Sequence, residues 1–299
     1  MEHYESIIIG HISMDNNIDH LGNSAFVCGG AVLYSSASAH ALGHKVAAVT
    51  KLAPKDFERL EEFTIDKKDV YAIPCENSTT MKNVYFTPDK ERRNSSCLSF
   101  GDPFTLSDIP QNISGDIYHF AGLLYGDFPN DMIKECAKRG KVALDVQACL
   151  RHGNRENGEM FFEDWECKRE MLPYIDFLKT DAAEAEIMTG TSDRYAAAKM
   201  LYEWGAKEVI ITHNTEVLAY NGGEIHTCPI RARNLSGRTG RGDTTFAAYM
   251  TERLTNDINS SLLYCAATVS LKMETPGPLK ATRADIDSYI KEFYRDYIK

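Results

Sequence analysis

The densest chemistry in the 299-residue chain is the run GRTGRGDTT, where Gly237, Gly240 and Gly242 alternate with Arg238 and Arg241 ahead of Asp243 and a helix-forming segment over 244–254. A glycine-rich turn that opens into a helix leaves the N–H groups of Gly240, Arg241 and Gly242 unpaired at the positive end of the helix dipole, which makes an anion hole. An acid at the mouth of such a hole suits a general base beside a phosphoryl group, and the dipole favours its ionised form. The plainer role is an ordinary loop with Asp243 as helix N-cap, but three closely spaced glycines ask for more than a cap. A Walker loop would need Lys where Asp243 stands, and a dinucleotide fingerprint needs G-x-G-x-x-G after an early strand, so neither fits. Arg241-Gly242-Asp243 also spells an adhesion tripeptide, which carries little weight without an export signal.

Composition narrows the partners. The formal charge is −10, which argues against a nucleic-acid or acidic-membrane surface, because both need a basic footprint. An anion must then be held by local geometry. Eight cysteines lie scattered without a C-x-x-C pair and nine histidines show no H-E-x-x-H, so no zinc or redox motif is indicated. The acidic start MEHYESIIIG lacks a signal peptide's basic and apolar regions, and residues 24–50 are interrupted by His40, His44 and Lys45 well short of a membrane span. The expectation is a cytoplasmic chain.

The elements that must position the turn read as alternating strands and helices. SIIIG (6–10), KVAAVT (45–50), DIYHFA (116–121), KVALDV (141–146), DFLKT (176–180) and EVIIT (208–212) are short apolar runs, with amphipathic segments such as 130–139 and 193–204 between them. That alternation predicts an α/β fold: a Rossmann-like, mostly parallel central sheet with helices on both faces. Residues 16–26 and 79–100 break the pattern as polar hairpins, the second turning at 87–91, and are expected to form a small inserted β lid. With 43% hydrophobic residues and no linker-like stretch, the chain reads as one domain over 1–299.

In these motifs the chain resembles the ribokinase-like, or PfkB, carbohydrate and nucleoside kinases. Their signature D-T-x-G-A-G-D is matched by GRTGRGD at Thr239, Gly240, Gly242 and Asp243. The resemblance runs over nearly the whole chain: a first strand leading to Asp15, a Gly29-Gly30 pair opening a helix, and TDAAE (180–184) in place of an N-x-x-E motif. It implies phosphoryl transfer from ATP with Mg²⁺, with Asp243 as base and Gly240, Arg241 and Gly242 around the transferring phosphate. It places Asp15, Gly29, Gly30, Tyr34, Gln147 and Arg151 at the acceptor, and Asp181, Thr212, Asn214, Arg238 and Thr239 at the nucleotide. Glu184 would hold magnesium directly or through water.

Several positions depart from the family pattern. Gly237 replaces the signature's opening Asp, which in some members belongs to a monovalent-cation site, so potassium activation is in doubt. Asp181 replaces Asn, and Tyr34 stands where many sugar kinases have Asn. LDVQACLR (144–151) and HFAGLLYGDFP (119–129) are similar to a subgroup that includes archaeal myo-inositol kinases. The resemblance therefore implies an ATP-dependent kinase of a small sugar or polyol, inositol leading. Alternatives are a nucleoside kinase of the same fold and a catalytically silent sugar-binding member. Pairing of lid strands between two copies would give a homodimer.

Overall fold

The computed structural model describes residues 1–87 and 93–298. Most of the turn expected at 87–91 therefore lies outside the described residues. Among those described, nine strands form the central sheet in the order β15-β14-β13-β12-β9-β8-β1-β4-β5. The parallel core consists of β1 (Glu2–Ile9), β4 (Val46–Leu52), β5 (Val70–Pro74), β8 (Ile113–Phe120), β9 (Lys141–Asp145), β12 (Phe177–Asp181) and β13 (Glu208–Thr212). Each of the six apolar runs is one of these strands.

Neighbouring residues on a strand feed opposite layers, as the period of two requires. Ile117, Ala143, Phe177 and Ile210 pack under α7 (Arg241–Glu252), α8 (Ile258–Met273) and α9 (Arg283–Phe293). Tyr118, Leu144, Leu178 and Ile211 pack against α2 (Asn130–Cys136), α5 (Ala182–Thr189) and α6 (Arg194–Glu203). Helices thus cover both faces. Two further strands, β14 (Glu216–Tyr220) and β15 (His226–Pro229), extend the β13 edge antiparallel.

The lid is a second sheet, ordered β3-β2-β6-β7. Its strands are β2 (Ser13–Ile18), β3 (Ser24–Gly29), β6 (Thr80–Tyr85) and β7 (Arg93–Ser99), so it starts and ends a few residues beyond the expected 16–26. Two antiparallel hairpins are joined through a parallel β2–β6 pair, with Asp15 opposite Met81. This parallel pairing joins segments far apart in sequence and is not announced by any turn motif. After β3 the chain enters α1 (Ala31–Ala41), and a small ribbon of β10 (Arg151–Gly153) and β11 (Met160–Phe162) follows the short helix α3 (Gln147–Leu150). The remaining short helix, α4 (Lys168–Met171), precedes β12 in the chain. Among the described residues no helix is long and apolar enough to cross a membrane.

Candidate active site

The lid covers the carboxyl edge of the sheet, where open α/β folds place their ligands. A cleft of about 1080 Å³ lies there, and every site residue expected from the sequence except Gly29 lines it. Gly29 stands directly behind: a Cβ on it would fall 2.7 Å from Asp15 Oδ2, so only glycine leaves room for that carboxylate. Gly30 opens α1 with φ 105°, and its missing Cβ would lie 2.3 Å from the His11 carbonyl oxygen.

At one end of the cleft, Asp15 is 8% exposed and its Oδ1 accepts from Ser13 Oγ at 2.8 Å. Burial pushes this carboxyl up, while the Ser13 hydroxyl and the charges of Arg93 and Arg151 oppose the rise. Arg151 is buried, and its Nε donates to the Leu123 carbonyl at 2.7 Å. The guanidinium is thereby fixed inside the cleft. Gln147 opens α3, its N–H donating to Asp145 Oδ1 at 3.1 Å. From the lid, Asn83 Nδ2 donates to Asn17 Oδ1 at 3.0 Å and Ser95 Oγ donates to Asn83 Oδ1 at 2.7 Å. All three of these polar side chains line the cleft.

At the other end, the glycine turn meets α7, which starts at Arg241, three residues before the expected boundary. Gly240 is the N-cap, left-handed at φ 79°, and a Cβ there would lie 2.2 Å from the Tyr34 ring. Asp243 is therefore not the cap; it sits in the first turn of the helix. The Arg241 N–H donates to the Arg238 carbonyl at 3.2 Å, which corrects its assignment to the anion hole. The first helical bond runs from Thr244 N–H to the Gly240 carbonyl, so the N–H groups of Gly242 and Asp243 precede the ladder. Arg241 Nη1 reaches across to Asn214 Oδ1 at 2.7 Å, beyond the last residue of β13, Thr212.

Charge is concentrated beneath this turn. Burial, then Asp145, pushes the Asp243 carboxyl up to about 6 against Lys179, Arg151 and Lys272. The dipole argument anticipated the opposite direction, but the group still ionises below neutrality. Lys179 Nζ lies 3.0 Å from Asp145 Oδ2 and 3.6 Å from Glu184 Oε2. Burial pulls its pKa down, and Asp145 and Glu184 outweigh that pull, leaving it raised. A Cβ on Gly242 would fall 3.3 Å from the same ammonium, so Lys179 stands directly under the turn. Asp181 and Glu184 form a reciprocal capping box on α5: Glu184 N–H donates to Asp181 Oδ1 and Asp181 N–H to Glu184 Oε2, each at 2.8 Å. Burial pushes Glu184 up to about 7.

Among the described residues no group of three or more His, Cys, Asp or Glu side chains could hold a metal ion. Magnesium, which binds through one or two carboxylates plus phosphate oxygens and water, needs no such cage. Glu184 fits an ion of that kind delivered with the donor's phosphates.

Four residues of this site escaped the sequence reading: Asp145, Lys179, Arg93 and Lys272. Asp145 is the charged end of the otherwise apolar β9, Lys179 stands at the centre of β12, and Lys272 follows the run CAATVSL in α8. A lone charge on a face that must be buried is the signal that could have found them.

A family model described as pfkB family carbohydrate kinase matches residues 6–283. Among solved structures, the chain is similar to a pyrophosphate-dependent kinase in the ribokinase family complexed with a pyrophosphate analog and myo-inositol: 31% identity, TM-score 0.85, covering 95% of this chain and 99% of the other. It is similarly close to a pyrophosphate-dependent myo-inositol-1 kinase converted into a myo-inositol-3 kinase by two substitutions to leucine, one from Asn and one from Ser, at 30% identity and TM-score 0.85 over 97% and 99% of the two chains. A curated relative, a cytidine kinase of Thermococcus kodakarensis, is 24% identical over 255 residues, 82% of this chain and 86% of the relative. With a buried carboxylate in the first turn of a helix, a glycine turn, and a family match spanning nearly its whole length, the chain belongs to the pfkB family of carbohydrate kinases, phosphotransferases that act on an alcohol group.

Proposed function

We propose that the chain phosphorylates one hydroxyl of a ring polyol of the inositol class, with pyrophosphate as donor. The acceptor hydroxyl lies between Asp15 and Asp243. Asp243 takes its proton as the new O–P bond forms and the bond to the leaving phosphate breaks. The N–H groups of Gly242 and Asp243 hold the transferring group, and Lys179 and Arg151 offset its charge. Glu184 would hold magnesium, which would supply charge neutralisation to the phosphates.

The observation that carries the choice of donor is the lining of the cleft beyond the turn. Thr212, Asn214, Arg238 and Lys280 stand there with Pro276, Gly277 and Pro278. None of these seven lining residues offers a nucleobase an aromatic or branched aliphatic bed. Arg238 and Lys280 are cations matched to a compact dianion or trianion instead, and Arg241 donates to Asn214 beside them. The relatives at 30% identity and above act with pyrophosphate, which supports the same reading. ATP, the donor expected from the sequence, is the second reading.

The Asn17–Asn83–Ser95 chain of hydrogen bonds supports a polyhydroxylated acceptor, because each amide can both give and accept a bond to a ring hydroxyl. A nucleoside acceptor is favoured only by the more distant cytidine kinase. β3, an edge strand of the lid, exposes Phe26 and Val27 at 66% and 40%, which supports pairing of two lids in a homodimer.

A screen of inositols, sugars and nucleosides against pyrophosphate and ATP, each with magnesium, tests this reading by ³¹P NMR of the products. The expected result is the fastest transfer with an inositol and pyrophosphate. Faster transfer to a nucleoside than to every polyol, or transfer from ATP alone, would overturn it.

A further inference from the structure

Lys272, the penultimate residue of α8, is 0% exposed. Its Nζ donates to the main-chain oxygens of Gly237 and Thr239 and stands 5.1 Å from the centre of the Tyr34 ring. Among the described residues no carboxylate lies within ion-pair distance of it; Asp243 is the charge that it feels. An ammonium buried without a direct ion pair is costly, so its seat on those two carbonyls calls for a functional explanation.

Both carbonyls belong to the turn that ends at Gly240, and the turn is clamped from every side. Gly237 N–H donates to the Met273 carbonyl at 2.7 Å, and a Cβ on Gly237 would fall 1.8 Å from the Thr275 carbonyl oxygen. Gly240 rests on Tyr34 with no space for a side chain. Each carbonyl turned inward to the lysine fixes the orientation of its peptide plane, and with it the backbone path into the first turn of α7.

We propose that Lys272 is a resident cation of the anion-binding turn. It does by covalent attachment what a bound monovalent ion would do on two carbonyl oxygens, so turnover needs no added potassium or ammonium. Its charge sits on the Gly237 and Thr239 carbonyls of the turn that leads into α7, and it acts through that turn as a positioning residue. The proposal rests on the reading of that turn as the donor's anion hole.

The test compares the wild type with Lys272→Met in choline, sodium, potassium and ammonium chlorides, by thermal unfolding and by turnover. Wild-type turnover and melting temperature are expected to show no preference among the four salts. Lys272→Met should lose roughly 10²-fold in kcat, the effect of removing one oxyanion-hole element, while its KM for the acceptor changes little. Potassium or ammonium, but not choline, should restore about a tenth or more of the lost rate and raise the variant's melting temperature. The melting arm needs no acceptor, so it decides the matter even where the proposed substrates fail. Should Lys272→Met not fold, Lys272→Arg, which keeps charge and donors, is expected to retain turnover without a salt preference. A wild type activated several-fold by potassium, a Lys272→Met enzyme with near-native rate, or a loss that no small cation relieves would each overturn the proposal.

Discussion

In the proposed reaction Asp243 is the residue on which the chemistry turns. With its carboxyl pushed up to about 6 by burial and Asp145, it is ionised at pH 7 and protonates as pH falls through that value. The expected kcat/KM profile therefore has an acid limb near pH 6. Asp243→Asn should lower turnover by roughly 10²–10⁴-fold while pyrophosphate still binds, because the amide keeps the volume but cannot take a proton; calorimetry with pyrophosphate separates the two effects, and near-native turnover would remove Asp243 from the base role. Asp15→Ala is expected to raise the acceptor's KM at least about tenfold, since charge-assisted bonds to two hydroxyls contribute roughly 1.5–3 kcal/mol each. An unchanged KM would place the acceptor elsewhere. That Asp243, the glycine turn and Asp15 belong together at one cleft was legible because they sit in local motifs. Lys179, Asp145 and Lys272 were not, because their meaning comes from meeting across 34 and more residues of chain; Lys179 Nζ to Asp145 Oδ1, for example, is 3.1 Å over a separation of 34.

The lid and α7 are the elements that convert these residues into a site. Six of the seven parallel strands were readable from their apolar runs; β5, short and only half-buried, was not. The antiparallel β14 and β15 and the parallel β2–β6 pair were not, because strand partners are chosen by tertiary packing and leave no periodic mark. Within the lid, Asn83 and Ser95 are bonded to each other at 2.7 Å and line the same cleft as Asp15. Replacing both by leucine keeps the strand registers but removes the polar contacts that orient a ring. The expected outcome is phosphorylation of a different hydroxyl of the same acceptor, read by NMR of the product; an unchanged product would assign orientation to Asp15, Gln147 and Arg151 alone.

At the scale of the whole molecule, the sheet, α7 and α9 are tied together by a buried charge network away from the cleft. His44 Nδ1 and Nε2 each lie 3.0 Å from a carboxylate, Glu5 and Glu252, and Arg283 also pairs with Glu252. Burial pulls the imidazole down, but the bonds to Glu252 and Glu5 outweigh it and hold it above its ordinary 6.5. The raised folded value means that this pairing contributes its full stability below about pH 6.5 and loses it as pH rises through the raised value. His44→Gln should therefore narrow the stability difference between pH 6 and pH 9 in urea unfolding, whereas parallel pH profiles for variant and wild type would make His44 a packing residue only. The net charge of −10 makes the concentration of Lys179, Arg151, Arg238 and Lys272 at one cleft the more telling, since any phosphate donor must be drawn there against the field of the chain. The most direct measurement is the initial rate of myo-inositol phosphorylation by the wild type with pyrophosphate and with ATP at equal concentration and saturating magnesium. The expected result is transfer from pyrophosphate at least about tenfold faster than from ATP, abolished by Asp243→Asn; transfer from ATP alone, or none to myo-inositol from either donor, would contradict it.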